Sequence, residues 1–270
     1  MMIKRIHYIT GIFMLLMSCE AITEYYIGFP QQPELSEDAD TAQFNLFGVL
    51  RPDSYGEFNR SFIYVQRIWP ALAFGNFSIF PDAEVEVREI FGQDSFSSID
   101  FPLRPPDSLF FDSLYRPVER FSPLPGTTYE LQCRHPDLPT AIGRTIFPPA
   151  PEIVEGSIWL EGNSFGFTLR ADTLIEMVDI YLSGPGYSIL AGRLVPEKQS
   201  DTEVSLTADF SPAGSKLSVF GYDINLAIYI GNSNTALNFN KYREGFTTLE
   251  SGYGVFGSLN FAEVRLEQKE

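Results

Sequence analysis

Residues 203–210 read EVSLTADF, a stretch in which every second residue is apolar. In an extended strand, alternate side chains point to opposite faces, so Val204, Leu206 and Ala208 share one face. Glu203 and Ser205 then lie on the other face. One apolar and one polar face is typical of an antiparallel strand that covers a core on one side.

The same period of two recurs along most of the chain. It is present at residues 83–88 (AEVEVR), 178–183 (VDIYLS) and 224–230 (INLAIYI), and turn-forming residues separate these runs, at 52–56, 125–126, 161–163, 212–214 and 231–234. No window of a dozen residues carries a capped helical stripe. Short alternating runs between regular turns predict an all-β protein made of antiparallel, immunoglobulin-like β-sandwiches.

A proline-rich break divides these strands into two groups. Residues 147–151 read FPPAP, and three prolines in four positions cannot continue a central strand. We therefore expect two tandem domains, an N-terminal sandwich over residues 42–147 and a C-terminal β domain over residues 152–270. Residues 93–121, rich in Asp, Ser and Pro, are expected to form a long excursion from the first domain.

The N-terminus has the layout of an export signal. Lys4 and Arg5 precede an apolar run at 9–17, and Ser18 stands directly before Cys19. The run is shorter than the ~20 residues that cross a bilayer as a helix. This pattern predicts a lipoprotein signal peptide over 1–18 and lipidation of Cys19. A plain signal peptide with a chance cysteine, or an N-terminal core segment, is the alternative.

Residues 20–41 are polar and without a sustained period, which predicts a flexible tether that follows the lipidated Cys19. A coil of ~20 residues has a mean reach of roughly 25 Å. Several acyl chains anchor a protein stably, so the lipid would hold the mature protein at a membrane. The predicted location is the outer membrane, on either its periplasmic or its cell-surface face.

The composition limits the partners of the chain. Its formal charge is -16, and removal of Lys4 and Arg5 with the signal would bring it to about -18. Such a chain repels phosphate backbones, which excludes nucleic acid as a partner.

The 24 Phe, 13 Tyr and 2 Trp residues supply ample material for a core. Cys133, in the alternating stretch YELQC (129–133), is predicted to be an inert buried thiol.

Three motifs together resemble a known family. They are DAEVEV at 82–87, PGTTYEL at 125–131 and GYGVFG at 252–257. With the lipobox and the proline break, their order is similar to the Bacteroidetes lipoproteins filed as domain of unknown function 4249. This resemblance implies an exported, lipid-anchored, β-rich protein, and it supplies no catalytic residues. Residues 93–121 are longer than the usual pattern, and residues 20–23 lack the acidic cluster that marks surface export in that phylum.

Motifs for catalysis and metal binding find little support. Residues 162–166 (GNSFG) match the G-x-S-x-G of a nucleophile elbow, but they lie between two alternating runs, and His135 precedes them. A hydrolase triad of that type needs a later histidine, so we predict a hairpin turn here. A lone histidine cannot make a zinc site. Acidic residues 37–40 and 201–203 lack the spacing of ligand residues and glycine that is typical of a calcium-binding loop. No cofactor or metal is expected.

One set of aromatic residues is suggestive of binding, because it exceeds what a single inward face would use. The set consists of Phe74, Phe77, Phe110, Phe111 and Tyr115. Aromatic rings on loops suit sugar stacking or protein contacts, although rings that close the ends of a sandwich are the alternative. The main hypothesis is a non-enzymatic envelope lipoprotein that binds an envelope partner, for example a β-barrel transporter. A polysaccharide-binding lipoprotein is the second hypothesis, and an anchored hydrolase is the third.

Overall fold

The computed structural model describes residues 43–53, 60–68, 80–92, 95–106, 113–198, 200–231 and 247–267. Within these ranges the protein is almost entirely β, which confirms the predicted fold class. The strands are β1 (Gln43–Leu50), β2 (Phe62–Ile68), β3 (Glu84–Ile90), β4 (Phe96–Asp100), β5 (Leu103–Arg104), β6 (Leu114–Tyr115), β7 (Thr128–His135), β8 (Leu138–Ile146), β9 (Glu152–Ile153), β10 (Trp159–Glu161), β11 (Ser164–Arg170), β12 (Met177–Gly184), β13 (Tyr187–Leu194), β14 (Asp201–Thr207), β15 (Lys216–Tyr222), β16 (Leu249–Glu250) and β17 (Gly252–Arg265).

The strands form three sheets. The largest has eight strands in the order β13-β12-β15-β17-β1-β2-β6-β5, and a second has five in the order β16-β8-β7-β3-β4. The third runs β10-β11-β14, with β9 also paired to β11. Most of each alternating run lies in a strand, as its period predicts: residues 84–88 in β3, 178–183 in β12 and 203–207 in β14.

Two hydrophobic cores lie on the same side of the large sheet. Phe44, Leu46 and Ile63 pack against Leu131 and Cys133 of the five-stranded sheet. The second core joins the other half of the large sheet to the third sheet, through Ile180, Val219, Phe165, Phe167 and Val204. Each half of the large sheet is therefore one layer of a sandwich.

β17 belongs to both halves, because its 14 residues change neighbours midway. Residues 252–258 pair in parallel with β1, and residues 259–265 pair antiparallel with β15. β16 pairs with β8, and Leu249 and Phe256 are buried in the first core. The predicted division into 42–147 and 152–270 therefore differs from the observed pairing: residues 247–258 complete the first sandwich. No local sequence pattern predicts that the chain returns to pair with β1.

Residues 224–230, predicted as a strand, form the helix α1 (Ile224–Gly231). The carboxyl group of Asp223 accepts a hydrogen bond from the backbone N–H of Leu226 at 3.0 Å, which caps the first turn. The buried side chains are Leu226, Ala227, Tyr229 and Ile230, a helical spacing. The strand prediction was wrong because nearly every position of this segment is apolar, and such a segment fits a largely buried helix as well as a strand.

Residues 93–121, predicted as one long excursion, contribute strands instead. β4 pairs with β3 at the edge of the five-stranded sheet, while β5 and β6 extend the large sheet beyond β2. Among the residues that the structure describes, no helix has both the length and the apolar character needed to cross a membrane.

Candidate binding surface

Most of the residues predicted to form a site lie outside the described residues. These are Cys19, Phe74, Phe77, Phe110 and Phe111. Tyr115 is described, and its prediction as a surface ring is wrong. Its side chain is 1 % exposed, and its hydroxyl donates to the Phe80 carbonyl oxygen at 2.6 Å. Because β6 pairs with β2, the ring points between the sheets, and burial raises its pKa to about 12.

The motif at 162–166 is a hairpin turn, as predicted. It joins β10 to β11, with Gly162 at a φ of +60°. The Ser164 hydroxyl lies 3.0 Å from the Thr207 hydroxyl on the neighbouring strand. His135 is at the end of β7 in the other sandwich, where its Nδ1 accepts from the Asp137 backbone N–H at 3.1 Å. The described residues therefore place no histidine beside this serine.

Cys133 is buried among apolar side chains, as predicted. It is fully inaccessible, and burial raises the pKa of its thiol far above the usual range. Such a thiol is protonated and unreactive at neutral pH. Within the described ranges, no three His, Cys, Asp or Glu side chains come together as they would around a metal ion.

The face of the large sheet opposite the two cores differs between its halves. Over the middle of the sheet it is covered by α1, which packs against Phe47, Tyr222 and Leu259. Beyond α1, three half-buried rings lie side by side on β12, β15 and β17. Phe220 and Phe261 are register partners with ring centroids 5.6 Å apart, and Tyr181 meets Phe220 edge-on at 5.6 Å. We call these three residues the ring patch.

A buried ion pair borders the ring patch. Arg193 on β13 donates two hydrogen bonds to Asp179 on β12, at 2.6 and 2.8 Å, and the Tyr222 hydroxyl donates to the same carboxylate at 3.2 Å. Asp179 is 1 % exposed. Burial, reinforced by this carboxylate, raises the pKa of Tyr222 well above its usual value. The carboxylate is fixed by its partners, so its role is to hold β12 and β13 in register beside the rings.

A groove of about 390 Å³ lies beyond the ring patch, at the edge of the sheet where β12 and β17 end and β15 begins. Its lining includes Ser183, Lys216, Glu263 and Arg265. Lys216 Nζ lies 2.8 Å from Glu263 Oε1, and the Ser218 hydroxyl donates to the same oxygen at 3.0 Å. Arg265 is exposed and is the register partner of Lys216. Among the described residues, no acidic side chain forms an ion pair with Arg265.

A second cavity, of about 410 Å³, lies where the two sandwiches meet. Its floor contains Asp223, whose carboxylate accepts from the Thr145 hydroxyl at 2.5 Å. The Thr145 and Ser258 hydroxyls are 2.9 Å apart, and the Asn225 amide donates to the Arg144 and Phe256 carbonyl oxygens. These bonds join β8, β17 and α1. Burial raises the pKa of Asp223 to about 6, although its hydrogen bonds act in the opposite direction.

The ring patch was missed from the sequence for a specific reason. Tyr181 and Phe220 stand at positions of β12 and β15 that alternate with core residues, so the pattern assigned Tyr181 to the polar face together with Asp179 and Ser183. An aromatic residue at a polar-face position is the signal that could have identified this surface.

Comparisons with known proteins add little to this geometry. The sequence matches no family model and no curated protein. Twenty-two chains of solved structures match. One of them is the FN1–FN3 domains of chicken CNTN1, which are 10% identical with a TM-score of 0.26, over 82% of this chain and 68% of that chain.

Proposed function

We propose that the chain is a non-enzymatic, lipid-anchored protein of the cell envelope that acts as a binding or assembly module at the outer membrane. The lipobox ending at Cys19 supplies the anchor, and the ring patch with its groove supplies the surface. The observation that carries the proposal is the position of that surface relative to the point where the chain enters the fold.

The entry point and the groove lie at opposite ends of β17. Phe44, near the start of β1, pairs in parallel with Gly252, the first residue of β17. Arg265 is the last residue of β17, and at ~3.3 Å per residue it lies about 43 Å further along the strand. An anchor that joins the fold at Gln43 would therefore be attached at the end of β17 opposite the groove, which leaves the groove accessible to a partner.

A binding role also accords with the state of Glu86, a carboxylate of the first sandwich. Burial acts to raise the pKa of Glu86, but hydrogen bonds from Arg88, Ser98 and Arg134 hold it at about 2. A carboxyl group that is ionised at all moderate pH values cannot act as a general acid. Ser164, the serine of the nucleophile motif, follows a hairpin turn, and its hydroxyl is hydrogen-bonded to the Thr207 hydroxyl on the neighbouring strand.

Two classes of partner remain for such a module. One is an envelope protein, for example a β-barrel transporter to which the chain is accessory. The other is a polysaccharide, which the half-exposed rings of the ring patch favour because aromatic faces suit sugar rings.

The anchor is tested by fractionation of cells that express the Cys19→Ala variant. We expect the wild-type chain in the outer-membrane fraction and the variant in a soluble fraction. A variant that stays membrane-bound after signal cleavage would contradict the proposal. The accessory role is tested separately by crosslinking in intact cells, where copurification of a β-barrel protein with the wild-type chain is the expected result.

A further inference from the structure

We propose that the ring patch and its groove bind an acidic polysaccharide, one whose sugars carry carboxylates as uronic acids do. Phe261 would stack on a sugar ring, with Phe220 and Tyr181 packed beside it, and Arg265 would pair with a carboxylate. This inference rests on the proposed function, since it names the ligand of the binding module.

The rings supply the contact with the sugar. The three rings lie on adjacent strands of one sheet face, with neighbouring centroids 5.6 Å apart and ring planes inclined by 90° and 39°. A half-buried ring is held by its neighbours, so stacking a ligand on the exposed part of Phe261 orders few additional side chains. The groove of about 390 Å³ lies further along the same strands, where the Lys216–Arg265 pair is four register pairs beyond Phe220–Phe261, and its volume is within the size range of small-ligand sites.

The cations supply the preference for a carboxylate. Lys216 and Arg265 stand side by side on a chain whose formal charge is -16, and Glu263 already pairs with Lys216. Among the described residues, Arg265 is the cation of the groove that no carboxylate pairs with. A guanidinium group binds a carboxylate through two parallel hydrogen bonds. Screening over ~8 Å at physiological salt limits repulsion from the rest of the chain.

A glycan fits this surface better than a protein does. The ring patch is small, and it lies between the Asp179–Arg193 pair on one side and the Glu263–Lys216 pair on the other. The buried core of a protein interface is depleted of charged side chains and extends over a larger area. Rings bordered by charged and hydroxyl groups instead match a sugar, which has apolar faces and polar edges.

The test uses the mature chain with Cys19→Ala, and calorimetric titration with oligogalacturonate and with neutral β-glucan oligosaccharides of equal length. We expect measurable binding of oligogalacturonate and at least tenfold weaker binding of the neutral oligosaccharide. Arg265→Gln should weaken oligogalacturonate binding at least tenfold. The matched control is Arg170→Gln, because Arg170 is an exposed, ion-paired arginine on the third sheet and should leave binding unchanged.

The rings are tested with Phe261→Ala, which should also weaken binding at least tenfold. Its control is Phe96→Ala, which removes a ring that is 51 % exposed at the edge of the five-stranded sheet. Thermal unfolding of each variant shows whether the fold is retained. Arg265→Gln, at an exposed position, keeps the test valid even if Phe261→Ala is unstable.

Three results would overturn the inference. The first is no binding of oligogalacturonate, and the second is equal binding of the neutral oligosaccharide with no effect of Arg265→Gln. The third is loss of a crosslinked protein partner on Phe261→Ala, which would make this face a protein-docking surface. None of these depends on the anchor: release of the Cys19→Ala variant from the membrane would still support the proposed function.

Discussion

At the scale of single residues, Asp223 is the clearest source of pH dependence. Burial raises its pKa from 3.8 to about 6 in the folded protein. The folded protein therefore favours the protonated carboxyl group. The resulting stabilisation of the fold is fully present below about pH 4 and is lost as the pH rises through 6. Linkage predicts that the free energy of unfolding falls by about 2 kcal/mol between pH 4.5 and pH 7 from this group alone.

The Asp223→Asn variant isolates this effect, because asparagine is neutral throughout and can still cap α1. Denaturant unfolding of both proteins at pH 4.5 and pH 7 should show the difference shifting in favour of the variant by about 2 kcal/mol. Glu86, whose pKa is lowered from 4.5 to about 2, is present in both proteins, so its contribution cancels in this difference. A constant difference across the window would refute the assignment.

Cys133 gives a second prediction at this scale. Its thiol is inaccessible, and burial raises its pKa, so the thiolate is scarce in the folded protein. In the Cys19→Ala chain, a thiol reagent should modify Cys133 only after denaturant unfolds the protein. Rapid labelling without denaturant, followed by mass spectrometry, would show that the first core opens locally.

Alternation in the sequence predicts which residues of a long strand are buried. It does not predict whether an aromatic ring points inward when its strand is defined by distant pairing. Tyr129, Leu131 and Cys133 share a buried face of β7, as their spacing indicates. Tyr115 belongs to a two-residue strand that is defined only by pairing with β2, so no periodicity could show that it points inward. The half-exposed ring of Phe261 is likewise set by the distant pairing of β17 with β15.

At the scale of elements, the parallel pairing of β1 with β17 depends on Gly254. This residue has a φ of +105°, and a Cβ atom there would collide with the carbonyl oxygen of Leu46 on β1. Gly254→Ala should therefore lower the free energy of unfolding by several kcal/mol. The measurement is the denaturant midpoint, with the slope checked for two-state behaviour.

Gly126 is the matched control for that prediction. Its φ is also positive, at +77°, but apart from its two chain neighbours no residue has an atom within 4 Å of the position that a Cβ would occupy. Gly126→Ala should cost about 1 kcal/mol, which is the conformational strain without a collision. Equal losses from the two variants would mean that the contact with Leu46 is not important to the pairing.

Helix α1 shows where reasoning from a local pattern reaches its limit. Alternation of Ile224, Leu226, Ile228 and Ile230 favours a strand, but Ile224 and Ile228 are exposed, whereas Ala227 and Tyr229 are buried. The choice between helix and strand depends on what covers the segment. Here the large sheet offers a broad apolar surface that includes Phe47, whose ring lies 5.3 Å from that of Tyr229.

At the scale of the whole molecule, the shared strand β17 makes the first sandwich incomplete without residues that follow the second. Leu249 and Phe256 are buried in the first core, and β1 has β17 as one of its two neighbours. Loss of a buried leucine and a buried phenylalanine costs ~2–5 and ~3–5 kcal/mol. Together these losses are comparable with the ~5–15 kcal/mol that stabilises a whole protein.

We therefore expect a fragment of residues 43–151 to lack a cooperative unfolding transition and the near-ultraviolet circular dichroism of a packed core. Addition of a peptide of residues 247–258, which supplies β16 and the first half of β17, should restore both signals. A peptide of the same residues with Phe256→Asp is the matched control and should restore neither, because the first core has no place for a carboxylate. A fragment that unfolds cooperatively without any peptide would show that the first sandwich is an independent domain, as the proline break at 147–151 alone suggests.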